Sequence, residues 1–157
     1  MAAMEEFDQK IKQSFPLVAF MCNRHILDHM RRIRKGVGVD LDTALVWGIT
    51  AHLNIARSMP PGTSPDHIMS KDGFYSGEMK PVRLRDISQV CELPRETVRR
   101  KLVALEELGK VQRTQDGGWI MCSTVQSEDV VDFTISSIRR FIETAKQIEQ
   151  VLNSKST

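Results

Sequence analysis

The stretch that decides the fold is Leu93–Lys110, "LPRETVRRKLVALEELGK". Its apolar residues recur every three or four positions, which places them on one face of an α-helix. The residues of this face are Val98, Leu102, Leu105 and Leu108. Gly109 follows the last of them, and a glycine just past the final periodic residue is a common helix stop. The stretch therefore predicts a helix over 95–108 with one face in a core.

The other side of this predicted helix is basic. Arg95, Arg99, Arg100 and Lys101 lie in its first two turns, beside Glu96. A helix that is anchored by leucines can present such residues to the major groove of DNA. There an arginine donates two hydrogen bonds to guanine and a glutamate accepts one from cytosine. The alternative interpretation is a solvated surface with a Glu96–Arg100 ion pair.

The neighbouring segments favour the DNA-binding interpretation. Before the basic helix, "LRDISQVCEL" (84–93) predicts a short helix with Leu84, Ile87 and Val90 inward, followed by a tight turn. After it, "KVQRTQDGGWIMCS" (110–123) predicts two short strands around an Asp-Gly-Gly turn. Helix, turn, helix and hairpin follow one another in the order of a winged helix-turn-helix.

The run 83–113, "RLRDISQVCELPRETVRRKLVALEELGKVQR", resembles the DNA-binding domain of the cyclic AMP receptor and fumarate-nitrate regulator family. The resemblance is strongest in the string RETV at 95–98 with an arginine two residues later. It implies that two chains bind a two-fold symmetric site with TGTGA-like half-sites. It also implies that base edges are read by Arg95, Glu96 and Arg100, and that Thr97 touches a phosphate.

The chain departs from that family in several respects. The family's sensory domain, which binds a cyclic nucleotide or an iron-sulfur cluster, has no room in 157 residues, so no cofactor is expected. Glu92 stands where a turn glycine is common, Pro94 stands where a serine often caps the helix, and Arg99 adds a charge. Helices on both sides of the predicted winged domain also resemble MarR-type repressors, in which terminal helices build the dimer.

Further polar and basic residues around the predicted helix-turn-helix and wing are candidates for contacts with the DNA backbone. Such contacts fix the register on DNA and make the affinity dependent on salt. The candidates are Arg83, Arg85, Ser88, Gln89, Thr97, Arg99, Lys101, Lys110, Arg113 and Gln115.

Two helices are predicted before the winged segment. Apolar spacing predicts the first over 15–35, ended by the glycines of "GVGVD" (36–40). The second begins at Asp40 or Asp42 as cap. Its predicted core face is Leu45, Ile49, Leu53 and Ala56. The Pro- and Gly-rich segment 59–81 then predicts a surface loop or small hairpin.

The C-terminal segment predicts one long helix capped by Ser127. Its apolar residues have nearly heptad spacing, which favours packing against a partner chain. They are Val131, Ile135, Ile138, Ile142, Ala145, Ile148 and Leu152.

A metal site is the weaker alternative function of the first helix. Cys22, His25 and His29 are spaced by three and four residues, as metal ligands on one side of a helix can be. A fourth ligand is not evident in the sequence, so we predict no metal. Catalytic motifs of hydrolases and nucleotide-binding enzymes are absent from the sequence, and we predict that the protein is not an enzyme.

Composition agrees with a water-soluble regulator. Of the 157 residues 41% are hydrophobic and 27% charged, the net charge is +2, and no apolar run is long enough to span a bilayer. The first ten residues, "MAAMEEFDQK", lack the basic start and apolar centre of a secretory signal. We therefore expect a cytoplasmic protein with no membrane partner.

The sequence as a whole predicts a mainly α protein with a small β-hairpin wing, a winged helix-turn-helix flanked by long N- and C-terminal helices. The predicted segments are an N-terminal dimerisation helix region (1–38), a DNA-binding domain (39–123) and a C-terminal helix (124–157). We expect a homodimeric, bacterial-type transcriptional regulator of double-stranded DNA, with the recognition helix at 94–108.

Two further partners follow from the same patterns. The alternative function is a winged-helix module whose basic face docks an acidic protein without specific DNA binding. A small-molecule effector of unspecified chemistry is an additional candidate partner, placed at the loop 59–81 or between the first two predicted helices.

Overall fold

The computed structural model describes residues 2–59, 61–62, 79–122 and 128–154. The elements in chain order are α1 (Ala2–Gln13), α2 (Phe15–Val37), α3 (Leu41–Ala56), α4 (Leu84–Cys91), α5 (Arg95–Glu107), β1 (Val111–Arg113), β2 (Trp119–Met121) and α6 (Glu128–Ser154). The predicted fold class is confirmed: the protein is mainly α, with an antiparallel hairpin after a helix-turn-helix and long helices at both ends.

The chain divides into two compact units. The helical unit consists of residues 1–36 and 129–157, and the winged unit consists of residues 37–128. The winged unit has a continuous hydrophobic core to which α3, α4, α5 and both strands contribute. The core residues are Val46, Val82, Ile87, Cys91, Val98, Leu102, Leu105, Val111 and Trp119.

Helix α3 begins at Asp40, whose carboxylate accepts a hydrogen bond from the backbone N–H of Thr43 at 3.0 Å. This confirms Asp40 as the predicted cap. The predicted apolar face of the helix is correct in part: Ile49 and Leu53 pack against the core, whereas Leu45 and Ala56 are exposed. The buried residues of α3 are Thr43, Val46, Thr50 and Asn54, three of them polar.

The α4–α5 pair contains the predicted turn, with two differences in the core. Val90 is exposed and Cys91 is buried instead, which shifts the inner face of α4 by one residue. Leu108 is also exposed because α5 ends at Glu107 and Leu108 is its C-cap. Gly109 follows with φ +67, the left-handed conformation that a glycine adopts without strain.

The hairpin pairs Val111 with Met121 and Arg113 with Trp119 in antiparallel register. Gly117 in its turn has φ +81. Val82 extends the sheet by one bridge, exchanging backbone hydrogen bonds of 2.8 and 2.9 Å with Trp119. A two-stranded hairpin is marginal alone in water, and burial of its Val111 and Trp119 in the core stabilises this one.

The helical unit has a much smaller interior. Among its described residues only Ser14, Val18, Met21 and Leu152 are buried. Within the apolar stripe predicted on α6, Leu152 is buried, whereas the exposed members are Ile135, Ile138, Ile142 and Ala145.

Two sequence-based boundaries of the helical unit can also be compared with the structure. Gly36 does not break α2, because the helix runs on to Val37 and the left-handed residue is Gly38. The predicted cap Ser127 lies outside the described residues, as does most of the predicted loop 59–81. In the described parts of the chain, no helix combines the length and the apolar character needed to cross a lipid bilayer.

Candidate nucleic-acid interface

Helix α5 is held by one face and exposed on the other. Val98, Leu102 and Leu105 are completely buried. Arg100 is exposed because it lies on the opposite side of the helix from Val98, Leu102 and Leu105. Arg95 is exposed as the first residue of the helix. Burial of the leucine face therefore fixes which side chains the first two turns present to solvent.

Glu96 and Arg99 form a bidentate ion pair on this exposed surface. The Nε and Nη2 atoms of Arg99 donate hydrogen bonds of 2.9 and 2.6 Å to the two carboxylate oxygens of Glu96. These bonds lower the pKa of Glu96 and raise that of Arg99. The alternative interpretation named Arg100 as the partner of Glu96, which is wrong. Arg99 takes that place and leaves the Arg100 guanidinium outside the pair.

Lys101 is directed towards α3 and away from the exposed arginines. Its Nζ donates hydrogen bonds to Asp40 Oδ1 at 2.8 Å and to Thr43 Oγ1 at 3.2 Å. The bond from Lys101, with those from Thr43, holds the pKa of Asp40 well below its usual range. Lys101 therefore ties the recognition helix to the start of α3, and its charge is largely neutralised there.

A shallow groove of about 340 Å³ lies beside the exposed face of α5. Thr97 and Arg100 line it from α5, while Asp40 and Asp42 line it from the start of α3. The predicted base-reading Arg100 thus stands between a basic helix surface and an acidic helix start. Anions are favoured on the α5 side of this groove and disfavoured on the α3 side.

The start of α4 carries two of the predicted backbone contacts. Arg83 is the N-cap residue, and its side chain makes no capping hydrogen bond. The Arg85 side chain is largely exposed, with Nε 3.5 Å from Asp86 Oδ1. Asp86 is engaged more closely by Arg57, whose Nη2 is 2.6 Å from Oδ2, and this hydrogen bond lowers the pKa of Asp86. Arg57 thereby offsets the acidic charge beside Arg85.

The turn between α4 and α5 is stabilised by Ser88, one of the residues predicted to contact the DNA backbone. The hydroxyl of Ser88 donates a hydrogen bond of 2.7 Å to the carbonyl of Leu93. Glu92 adopts the left-handed conformation, with φ 54, at the position where a glycine is common. Gln89 is exposed on the neighbouring turn of α4. Ser88 therefore holds the turn closed, while the Gln89 side chain faces solvent.

The wing presents its basic residues unequally. The Nζ of Lys110 lies 4.5 Å from the ring centroid of Trp47, a cation–π contact that holds it against α3. Arg113 and Gln115 are exposed, and the backbone N–H of Arg113 donates to Glu106 Oε1 at 3.0 Å. Strand β1 and the hairpin turn therefore carry the accessible polar groups of the wing.

Asn54 positions this wing, although the sequence analysis did not single it out. Its side-chain amide donates to the carbonyls of Lys80 and Trp119 at 2.8 and 3.0 Å, and its carbonyl accepts from the N–H of Met121 at 2.9 Å. The residue is completely buried. The available sequence feature was an asparagine at helical spacing from Val46 and Thr50, because an amide that is buried on such a face needs partners of this kind.

The residues considered for a metal lie in the helical unit. The rings of His25 and His29 are stacked with centroids 6.3 Å apart, and His25 Nδ1 is 3.2 Å from the hydroxyl of Thr144. Burial is the largest cause of the lowered pKa of His29. Cys22 is exposed. Within the described part of the chain, no three side chains of metal-ligating type come together.

Comparisons with protein-family models, with curated proteins and with solved structures return no match for this chain.

Proposed function

We propose that the protein is a sequence-specific, double-stranded DNA-binding transcriptional regulator that acts as a homodimer. The observation that carries the proposal is the exposed basic start of α5, the second helix of a helix-turn-helix, with Val98, Leu102 and Leu105 completely buried on its other face. Such a helix places its N-terminal side chains at base edges in the major groove. Base reading is assigned to Arg95 and Arg100, with Glu96 as a third reader.

The pairing of charges on this surface supports the assignment. Within the described residues, the structure gives Arg95 and Arg100 no ion-pair partner, while Arg99 and Lys101 are held by acidic side chains. A guanidinium that is not held in an ion pair can donate two parallel N–H hydrogen bonds to guanine O6 and N7. Glu96 must leave Arg99 to accept from cytosine, so its contribution to base reading is smaller than that of Arg100.

Contacts with the DNA backbone are proposed for the exposed groups around this helix. Arg85 flanks it from the start of α4, and Arg113 and Gln115 flank it from the wing. Lys110 and Ser88 contribute less, because one is held over Trp47 and the other donates to Leu93. Phosphate contacts of this kind supply affinity that falls steeply with salt but little discrimination between sequences.

Selection from a pool of random duplexes tests the proposal. We expect one enriched, two-fold symmetric motif. On that motif Arg100→Ala weakens binding roughly 5- to 150-fold, equivalent to about 1–3 kcal/mol for one base-reading side chain. On a scrambled duplex the same change has a much smaller effect. Fluorescence anisotropy at several salt concentrations provides both affinities and the salt slope.

Arg139→Ala is the matched control, because it removes the same charge from an exposed position on α6 in the helical unit. We expect the control to bind the selected motif as the native chain does. The competing function, a protein-docking module with an acidic partner, gives a different result. In that case the pool yields no motif, and Arg100→Ala lowers binding to all duplexes equally.

A further inference from the structure

Helix α2 has a second apolar face that its own chain leaves exposed. We call it the outer face of α2, and it consists of Phe15, Ala19, Phe20, Cys22, Ile26, Leu27, Met30 and Ile33. Within the arc of the helix that these residues span, the polar residues are Asn23 and, near the end of the helix, Arg34. Its large members are exposed by 59% (Phe15), 61% (Phe20), 47% (Ile26), 66% (Leu27) and 41% (Met30). Soluble monomers seldom expose so long a row of large apolar residues.

The contacts of α2 within its own chain lie on a different side of the helix. Val18 and Met21 are buried there, His25 meets Thr144, and Arg32 donates to Ser136 at 2.9 Å. These residues recur at spacings of three and four, which is one helical face. The inner face is therefore mixed and partly polar, whereas the outer face is apolar. Folding of a single chain does not explain the outer face.

The exposed apolar area suits a specific interface. A large apolar side chain offers roughly 200 Å² when fully exposed, so the five large residues leave on the order of 550 Å² uncovered on each chain. Two copies joined through this face would bury about 1,100 Å², near the lower end of the range for stable protein interfaces. Smaller contacts by Ala19, Cys22 and Ile33 add to that area.

The side chains of the outer face also match in size when a second α2 helix is placed antiparallel to the first. Its members form four pairs whose midpoints fall at, or within half a residue of, position 24. Across an antiparallel helix pair, each member faces its counterpart in the partner. The pairs are Phe15 with Ile33, Ala19 with Met30, Phe20 with Leu27, and Cys22 with Ile26. Smaller residues meet larger ones in two of these pairs, as interdigitated packing requires.

Charge selects the antiparallel orientation. The last turns of α2 carry four cations, Arg31, Arg32, Arg34 and Lys35. A parallel pair would bring eight positive charges together. An antiparallel pair separates the two clusters by the length of the helix. Opposite helix dipoles also favour this orientation.

We propose that the outer face of α2 binds the same face of a second copy of this chain, antiparallel, with the two-fold axis near residue 24. The interface supplies the dimer that the proposed function requires. It is inferred from the helical unit alone and does not depend on whether the winged unit binds DNA. The main rival occupant of the face is the exposed stripe of the partner's α6.

Disulfide trapping tests the register. Facing Cα atoms in a close helix pair lie about 4–6 Å apart, within disulfide range, whereas residues displaced by four positions lie beyond about 7 Å. In a Cys122→Ser background, Ile26→Cys should therefore link to the partner's Cys22 under mild oxidation and give a covalent dimer. The native Cys22 alone should not link, and Cys22→Ser combined with Ile26→Cys should not link either.

Two outcomes of the trapping experiment overturn the proposal. Efficient linking by Cys22 alone indicates a parallel pair, and linking by Ile26→Cys without Cys22 indicates a different register. A chain that stays monomeric by light scattering at tens of micromolar also contradicts it. The disulfide is measured without DNA, so failure of DNA binding leaves this result unaffected.

A charge inserted into the face tests the occupant. We expect Ile26→Glu to raise the dissociation constant of the dimer roughly 100-fold or more, because two carboxylates are buried in an apolar seam. Ile138→Glu, at an exposed apolar position on α6, is the matched control and should leave the dimer intact. Circular dichroism verifies that both variants stay helical. Dissociation by Ile138→Glu with a native-like dimer in Ile26→Glu would assign the interface to α6 and overturn the proposal.

Discussion

The winged unit and the helical unit of this protein treat their apolar residues in opposite ways. In the winged unit nine hydrophobic residues form one buried cluster that includes both strands and three helices. In the helical unit only three described hydrophobic residues are buried, and both α2 and α6 expose rows of large ones. A hydrophobic core explains the stability of the first unit. The second unit has apolar surface whose burial requires contacts beyond those within the unit.

The largest expected effect comes from removing one core leucine. Leu102→Ala should lower the free energy of unfolding by about 2–5 kcal/mol, because Leu102 is completely buried and the change leaves a cavity. The loss should be the same at all protein concentrations. Urea unfolding followed by tryptophan fluorescence measures it, because Trp119 lies in the same core and Trp47 packs against it.

Leu27→Ala is the counterpart in the helical unit, since Leu27 is exposed in the single chain. With the proposed dimer, its cost should appear at high protein concentration and shrink on dilution, because only the dimer buries the side chain. A cost that is large and independent of concentration would show that the two units do not differ in the way described above.

An intermediate effect is expected at the start of α3. Asp40→Ala removes both the helix cap and the partner of Lys101, and should cost about 1–2 kcal/mol at neutral pH. The folded-state pKa of Asp40 lies below its ordinary value of 3.8. The stabilisation is therefore fully present above that value and is lost as the pH falls through the lowered folded-state pKa.

Chemical denaturation at a series of pH values measures this dependence. The gap in stability between the native chain and Asp40→Ala should be constant from pH 7 to about pH 5 and should narrow below pH 4. Asp42→Ala is the control, because Asp42 is an exposed aspartate two residues after Asp40 and is not the cap. A gap that widens on acidification would contradict the role assigned to the Asp40 carboxylate.

The smallest expected effect is a gain. Glu92 has φ 54, a left-handed conformation that costs a residue with a side chain about 1 kcal/mol more than glycine. Glu92→Gly should therefore raise the thermal midpoint by a few degrees, equivalent to about 0.5–1 kcal/mol. Gln89→Gly, exposed within α4, should instead lower stability by about 1 kcal/mol. Equal losses in both variants would show that the turn is not strained.

The sequence predicted the winged unit well where apolar spacing and turn residues agree. The faces of α5, the glycine stop at Gly109 and the hairpin all follow local rules, and the structure confirms them. It failed in part on α3, because burial there depends on hydrogen-bond partners distant in the chain. Asn54 is buried with such distant partners, and Thr50 is buried with its hydroxyl donating to the carbonyl of Val46 one turn earlier, so the polarity of both residues misled a prediction based on apolar spacing.

The sequence predicted which residues form the candidate site, but it did not predict their ion-pair partners. The exposed position of Arg100 follows from the leucine face, whereas that of Arg95 follows from its place at the first position of the helix. The engagement of Lys101 by Asp40 joins residues 61 positions apart, and no local pattern contains it. The choice of Arg99 over Arg100 as the partner of Glu96 depends on side-chain rotamers, which spacing does not determine.

The hydrogen bonds of the buried Asn54 amide couple the position of the wing to that of α3. Two of its three hydrogen bonds join it to Trp119 and Met121 at the two ends of β2, and the third joins it to Lys80, so the hairpin cannot tilt unless α3 moves or both bonds to β2 break. A force or ligand that rotates α3 would therefore also move the tip of the wing. The amide proton of Met121 should then exchange with solvent at the rate of the α3 core and not at the faster rate of a fraying edge.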